Sequence, residues 1–161
     1  MGSSKYSKHL KKCGCAIHHI HVLVKDLEGA MRLFSDLMGS KFIGPLDRRP
    51  ERPCRYAFDT LGLELVSPEG PSDKWYPILQ EKGEGILSIG LKVTDIEEGI
   101  AHFESKGIKI LRRGQRDTLK FAAFSPDEAH GIRFELVEYD NMQGAGVCNV
   151  GKMGELPWFK G

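Results

Sequence analysis

The sequence predicts an α+β fold of two tandem βαβββ modules forming a curved mixed sheet around a cleft. Three observations predict it. Residues 19–34 (HIHVLVKDLEGAMRLF) match residues 88–103 (SIGLKVTDIEEGIAHF) at one constant offset, so that Asp26 falls on Asp95 and Phe34 on Phe103. Each copy switches from a two-residue to a helical hydrophobic period. Each also ends in the same strand, Leu63-Glu64-Leu65-Val66 in the first copy and Phe134-Glu135-Leu136-Val137 in the second.

Taken in order, Ile20, Val22 and Val24 alternate with other residues as in a strand with one buried face, and Ile89, Leu91 and Val93 repeat the pattern. Asp26 and Asp95 then suit helix N-caps, because a short acidic side chain satisfies free N–H groups and favours the positive helix end. Gly39 and Gly107 suit the helix stops, where a left-handed residue costs glycine least. Short runs with strand character follow, at 41–43, 54–59 and 62–66, then at 108–112, 118–124 and 131–138. The expected organisation is one domain over 1–161, made of module 16–67, connector 68–84, module 85–139 and tail 140–161. Pro68, Gly70, Pro71, Pro77 and Gly83 break up the connector, with a short helix expected over Trp75 to Gln80.

The 161 residues can bury one good core, and 23 Lys plus Arg against 22 Asp plus Glu leave a net charge of +1. That charge supplies no field to gather nucleic acid. No apolar run reaches the length of a signal peptide or a membrane span, so a cytoplasmic location without membrane contact is expected. Cys13 and Cys15 are too close for an unstrained bridge, and Cys54 and Cys148 complete no spaced framework. Reduced thiols follow.

Alternation along the strands also places the polar groups. With Ile20, Val22 and Val24 against the helix, His19, His21 and Leu23 take the opposite face. Leu63 and Leu65, like Phe134 and Leu136, take the helix side, which turns Glu64 and Glu135 away from it. An outward strand glutamate is ordinarily just solvated. Two at equivalent positions of a repeat, inside apolar runs, instead suggest a shared polar cleft. If the two sheets curve around a common space, His19, Glu64 and Glu135 meet there with Ser88, the repeat partner of His19. One imidazole and two carboxylates suit a divalent ion of intermediate hardness.

At these residues the chain resembles the vicinal oxygen chelate superfamily, which includes glyoxalase I, methylmalonyl-CoA epimerase, extradiol dioxygenases and bleomycin resistance proteins. The resemblance spans roughly residues 16 to 139. It rests on His19-Ile20 before Val24-Lys25-Asp26-Leu27 and on the closing run Gly131 to Glu138. Residues 81–86, 93–97 and 121–126 look most like methylmalonyl-CoA epimerase. Carried over by position, the resemblance implies metal ligands at His19, Glu64, Ser88 and Glu135. The third is normally histidine, and serine is a much poorer ligand. His21, on the same face, is a candidate replacement, and His130 could reach in from the rim.

The resemblance further implies a divalent metal (Mn, Co, Ni, Zn or Fe) that stabilises an enolate, with Glu135 or Glu51 moving the proton. The substrate cleft would include His21, Ser88 and Lys92. Glu51 sits in the charged loop Arg48-Arg49-Pro50-Glu51-Arg52-Pro53, whose arginines could pair with a substrate carboxylate or phosphate. The leading expectation is a metal-dependent epimerase, isomerase or lyase acting on a small oxygen-rich acid or CoA thioester. The alternative is a metal-free binding protein of the bleomycin-resistance type, for which Ser88 is the main argument. An iron-dependent dioxygenase ranks third. Homodimerisation is common in the superfamily, and the tail, with Met142, Met153, Pro157, Trp158 and Phe159, could fold over the cleft or a partner subunit.

Overall fold

The computed structural model describes residues 16–50, 52–59, 61–116 and 119–139. Its elements in chain order are β1 (Ala16–Leu23), α1 (Leu27–Met38), β2 (Ile43–Asp47), β3 (Cys54–Phe58) and β4 (Leu63–Pro68). After them come α2 (Tyr76–Lys82), β5 (Gly85–Lys92), α3 (Ile96–Glu104), β6 (Ile110–Arg116), β7 (Leu119–Phe124) and β8 (Phe134–Tyr139). The expected βαβββ unit is present twice. Two compact units result: among the described residues, the first holds 19–87 and the second 16–18 with 88–139.

Strand order is β2-β3-β4-β1 in the first set and β5-β8-β7-β6 in the second. In each set the opening strand lies parallel to the closing one, β1 with β4 and β5 with β8, and the remaining neighbours are antiparallel. A strand can return parallel to its predecessor only over a long connection, and the helix-plus-two-strands between them provides it. The sheets are therefore mixed for the same reason in both copies.

Both predicted N-caps form. Asp26 Oδ1 accepts from Gly29 N at 2.9 Å, and Asp95 Oδ1 accepts from Glu97 N and Glu98 N at 2.9 and 3.0 Å. Gly39 closes α1 in the left-handed region at φ 69°. Helix α3 ends earlier than its glycine suggests: Ser105 is the cap, and Gly107, at φ 81°, follows a further turn. The short helix of the connector starts and ends slightly later than expected, with Pro77 in its first turn where no N–H is missed.

Strand limits differ most where glycine and proline interrupt the pattern. β2 continues through Gly44 and Pro45 with a register shift between Ile43 and Leu46, which an outer strand tolerates because one side needs no ladder partner. β8 begins only at Phe134. Its approach is a turn, with Ala129 N and Gly131 N both donating to Pro126 O and with His130 and Gly131 at positive φ.

Each helix packs on the predicted face. In the first unit Val24, Leu27, Ala57 and Leu65 are buried together, joined by Val22, Met31 and Phe34. In the second, Val93, Ile96, Ile100, Phe103, Ala122, Phe124 and Leu136 form the equivalent core, with the Phe103 and Phe124 rings 4.5 Å apart. Gly99 lets α3 approach β8 closely, since a Cβ there would lie 2.8 Å from a Leu136 methyl. The first unit has a second cluster on the opposite face, where Leu23, Cys54, Val66 and Leu87 pack under Leu79 of α2. No helix among the described residues is long and apolar enough to cross a membrane.

Candidate functional site

In the first unit the pairing of β1 with β4 sets His21 beside Glu64. Neighbours in register point to the same face of a sheet, here the face away from α1. His21 Nε2 lies 3.0 Å from Glu64 Oε2, and the two side chains keep 13% and 19% exposure. His19, two residues back on that face, is buried and stands edge-on to His21 with ring centroids 4.3 Å apart. Phe58, opposite Glu64 on β3, continues the same surface towards Tyr56. Burial pushes the Tyr56 phenol above its usual range, against the pull of the Arg48 charge.

The second unit repeats the frame with other side chains. Gly90 lies beside Glu135 in the β5/β8 register, as His21 lies beside Glu64. Ser88 stands at the His19 position and is buried. Both imidazole positions of the repeat are thus filled in the first copy, and both are small in the second. Glu135 is partly covered, at 17% exposure, with the Arg112 guanidinium 4.0 Å away. Lys92 follows on the same face by strand alternation and is half-buried.

His19 and His21 thus present two adjacent imidazoles on one face of the first unit, and Glu135 presents a carboxylate on the corresponding face of the second. His130 is exposed in the turn before β8. Glu51, Cys13, Cys15, Cys148 and the tail residues Met142, Met153, Pro157, Trp158 and Phe159 lie outside the described residues.

The arginine-rich loop is largely self-neutralised. Arg49 is paired with Asp47 at 2.5 Å, which holds that exposed carboxyl down to about pKa 2. Arg52 grips the buried Asp73, whose Oδ1 also accepts from Trp75 N at 2.7 Å. Arg55 bridges Glu28 and Glu69 on the helix side. Arg48 differs, lying 4.8 Å from the centroid of the Tyr56 ring. Two features were missed in the sequence: the engagement of Glu64 by His21, and an arginine over an aromatic ring in each copy, Arg48 on Tyr56 and Arg112 on Phe121. The repeat carried a signal for the second, because Tyr56 pairs with Val66 just as Phe121 pairs with Val137.

Residues 18–124 match the family described as the Glyoxalase/Bleomycin resistance protein/Dioxygenase superfamily. The chain belongs to this superfamily. Solved structures with the same fold include a Streptomyces coelicolor methylmalonyl-CoA epimerase in complex with 2-nitronate-propionyl-CoA. It is 21% identical at a TM-score of 0.68, over 78% of this chain and 98% of that one. A hypothetical protein from Bacillus halodurans is 22% identical at a TM-score of 0.70, over 81% and 98% of the two chains. Methylmalonyl-CoA epimerase from Mycobacterium tuberculosis is 19% identical at a TM-score of 0.67, over 86% and 92%. No curated protein matches the chain. At these identities the glyoxalase-superfamily fold is what is shared.

Proposed function

We propose that the protein is a metal-dependent epimerase, isomerase or lyase acting on a small oxygen-rich acid or CoA thioester. The observation that carries this reading is the pair of adjacent imidazoles His19 and His21 on the face that bears Glu64, and Glu135 is the carboxylate proposed to complete the donor set. In this reading His21 takes the role that Ser88 cannot fill, and Glu64, hydrogen-bonded to His21, fixes the ring and strengthens it as a ligand. Two nitrogens and one oxygen suit manganese, iron, cobalt, nickel or zinc and leave positions for two substrate oxygens. When bound, such an ion supplies a Lewis acid that stabilises the negative charge on an enolate oxygen.

The remaining work falls to the chain itself. A carboxylate must take the proton from the carbon next to the carbonyl and an acid must give one back, and Glu51 and Glu135 are the two carboxyls proposed for these roles. Glu51 would keep the proton it takes, and delivery of another proton by Glu135 from the opposite face inverts the carbon, with no oxidant or reductant needed. Ser88 and Lys92 contribute a hydroxyl and a cation to substrate binding.

The test is metal content after equilibration with manganese, iron(II), cobalt, nickel and zinc, in the wild type and in His19→Ala, His21→Ala and Glu135→Ala. The expected result is one equivalent in the wild type, lost in all three variants. Glu64→Gln should still bind, but about 10- to 100-fold more weakly. Equal metal in the wild type and the three variants would sink the reading.

A second reading, a metal-free small-molecule-binding protein, has a specific observation in its favour. The second copy places Ser88 and Gly90 where the first has histidines, so a ligand-binding face there would carry no imidazole.

A further inference from the structure

Four arginines lie between residues 48 and 55, and three have carboxylate partners: Arg49 with Asp47, Arg52 with Asp73, and Arg55 with Glu28 and Glu69. Arg48 makes no ion pair among the described residues. It is half-buried, and its backbone N–H is tied to Cys54 O at 3.0 Å, so the base of the side chain is anchored. Its guanidinium carbon lies over the Tyr56 ring, 4.8 Å from the centroid, and the two side chains are hydrogen-bonded.

That ring lies on the face of Glu64. Cys54, Tyr56 and Phe58 alternate to the same side of β3, Phe58 sits directly opposite Glu64, and Arg55 and Ala57 take the helix side. The second copy shows the arrangement satisfied from within: Arg112 stacks 4.7 Å over Phe121, and its guanidinium also lies 4.0 Å from Glu135. In the first copy the equivalent glutamate is engaged by His21, and the arginine, hydrogen-bonded to the Tyr56 hydroxyl, has no carboxylate partner among the described residues. A stacked guanidinium loses little freedom on forming a bidentate contact, and its planar donors match an oxyanion.

We propose that Arg48, held over the Tyr56 ring, binds an anionic oxygen group of the substrate, a carboxylate or a phosphate, with its remaining donors, and so selects doubly charged over singly charged acids. The proposal rests on reading the Glu64 face as the substrate face, but it does not require the metal. Arg48 is therefore a specificity-determining residue rather than a participant in proton transfer. A lysine in its place would keep the charge and lose the fork.

The experiment is calorimetric titration of the full chain with malonate, with propionate as its singly charged near-isostere, and with inorganic phosphate. Both metal-stripped and manganese-equilibrated protein are used. The proteins compared are the wild type, Arg48→Met, Arg48→Lys and, as a control, Arg113→Met, which removes a guanidinium paired with Glu97 on the helix side. Wild type should bind malonate or phosphate at least about tenfold more tightly than propionate. That preference should vanish in Arg48→Met, partly survive in Arg48→Lys and persist in Arg113→Met. Tighter malonate marks a carboxylate as the group bound, and tighter phosphate marks a phosphate.

Unchanged anion preference in a folded Arg48→Met protein would overturn the proposal. Metal content separates the two readings. Loss of the preference in stripped Arg48→Met, with metal uptake like that of the wild type, supports both. The same loss in a protein that takes up no metal at all supports the anion site and sinks the metal mechanism.

Discussion

At the scale of single residues, chemistry follows from what each side chain is packed against. Cys54 is buried in the cluster under α2, and burial pushes its thiol up to about 11 from an ordinary 9.0. Below pH 9 the thiol is neutral whether the chain is folded or not. Between 9 and 11 the unfolded chain releases the proton and the folded chain keeps it, so stability falls as pH rises through that window. Denaturant unfolding at pH 8, 9, 10 and 11 should therefore show a steeper alkaline loss for wild type than for Cys54→Ala. Parallel pH profiles would contradict the buried, protonated thiol. The same Cys54 should resist iodoacetamide in the folded protein at pH 8 and react once denatured, as peptide mapping would show.

His21 and Glu64 teach a related point. Alternation along β1 puts His19 and His21 on one face, and that much is readable from Ile20, Val22 and Val24. Which carboxylate meets which imidazole depends on the register of two parallel strands that are far apart in the chain, and no local pattern encodes it. The arginine loop is similar. Composition shows a cationic segment, but only the positions of Asp47, Asp73 and Glu69 reveal that Arg49, Arg52 and Arg55 are spoken for.

At the scale of elements, the helices were legible because their determinants are local. Asp26 and Asp95 each sit just before an apolar helical pattern and accept from the first free N–H groups. Replacing Asp95 by alanine should cost about 1 kcal/mol, measured by urea unfolding, since two N–H groups lose their acceptor. No change in the midpoint would mean that Ile96 N, which donates to Glu138 at 2.6 Å, already secures the helix start. Strand limits were less legible. The run expected at 41–43 lies instead at Ile43–Asp47, across Pro45, which an outer strand with a register shift accommodates; the run expected from 131 begins only at Phe134, because the backbone turns at Gly131. Burial of Leu23 beneath α2 also escaped the sequence, because a proline- and glycine-broken connector does not announce what its short helix will cover.

At the scale of the whole molecule, each unit owes its stability to a helix laid on one face of a four-stranded sheet. Leu136 is fully buried between Ile100, Phe103 and the strands, and truncation to alanine should cost about 2–5 kcal/mol by the loss of burial and the cavity left behind. Thermal unfolding monitored by circular dichroism would measure it, and a loss below about 1 kcal/mol would mean the core relaxes into the gap. Such cores are what the amino-acid sequence determined by itself: the doubled βαβββ order, the helix-facing residues and the outward glutamates all arise from two-residue and 3.6-residue periods repeated in two copies. Tertiary structure alone decided which polar groups on the outward face are already satisfied. Glu64 is held by His21, Arg49 and Arg52 are paired with Asp47 and Asp73, and Arg48 lies over Tyr56 with no carboxylate partner among the described residues, because hydrogen bonds and ion pairs depend on distances between strands and loops that periodicity does not specify.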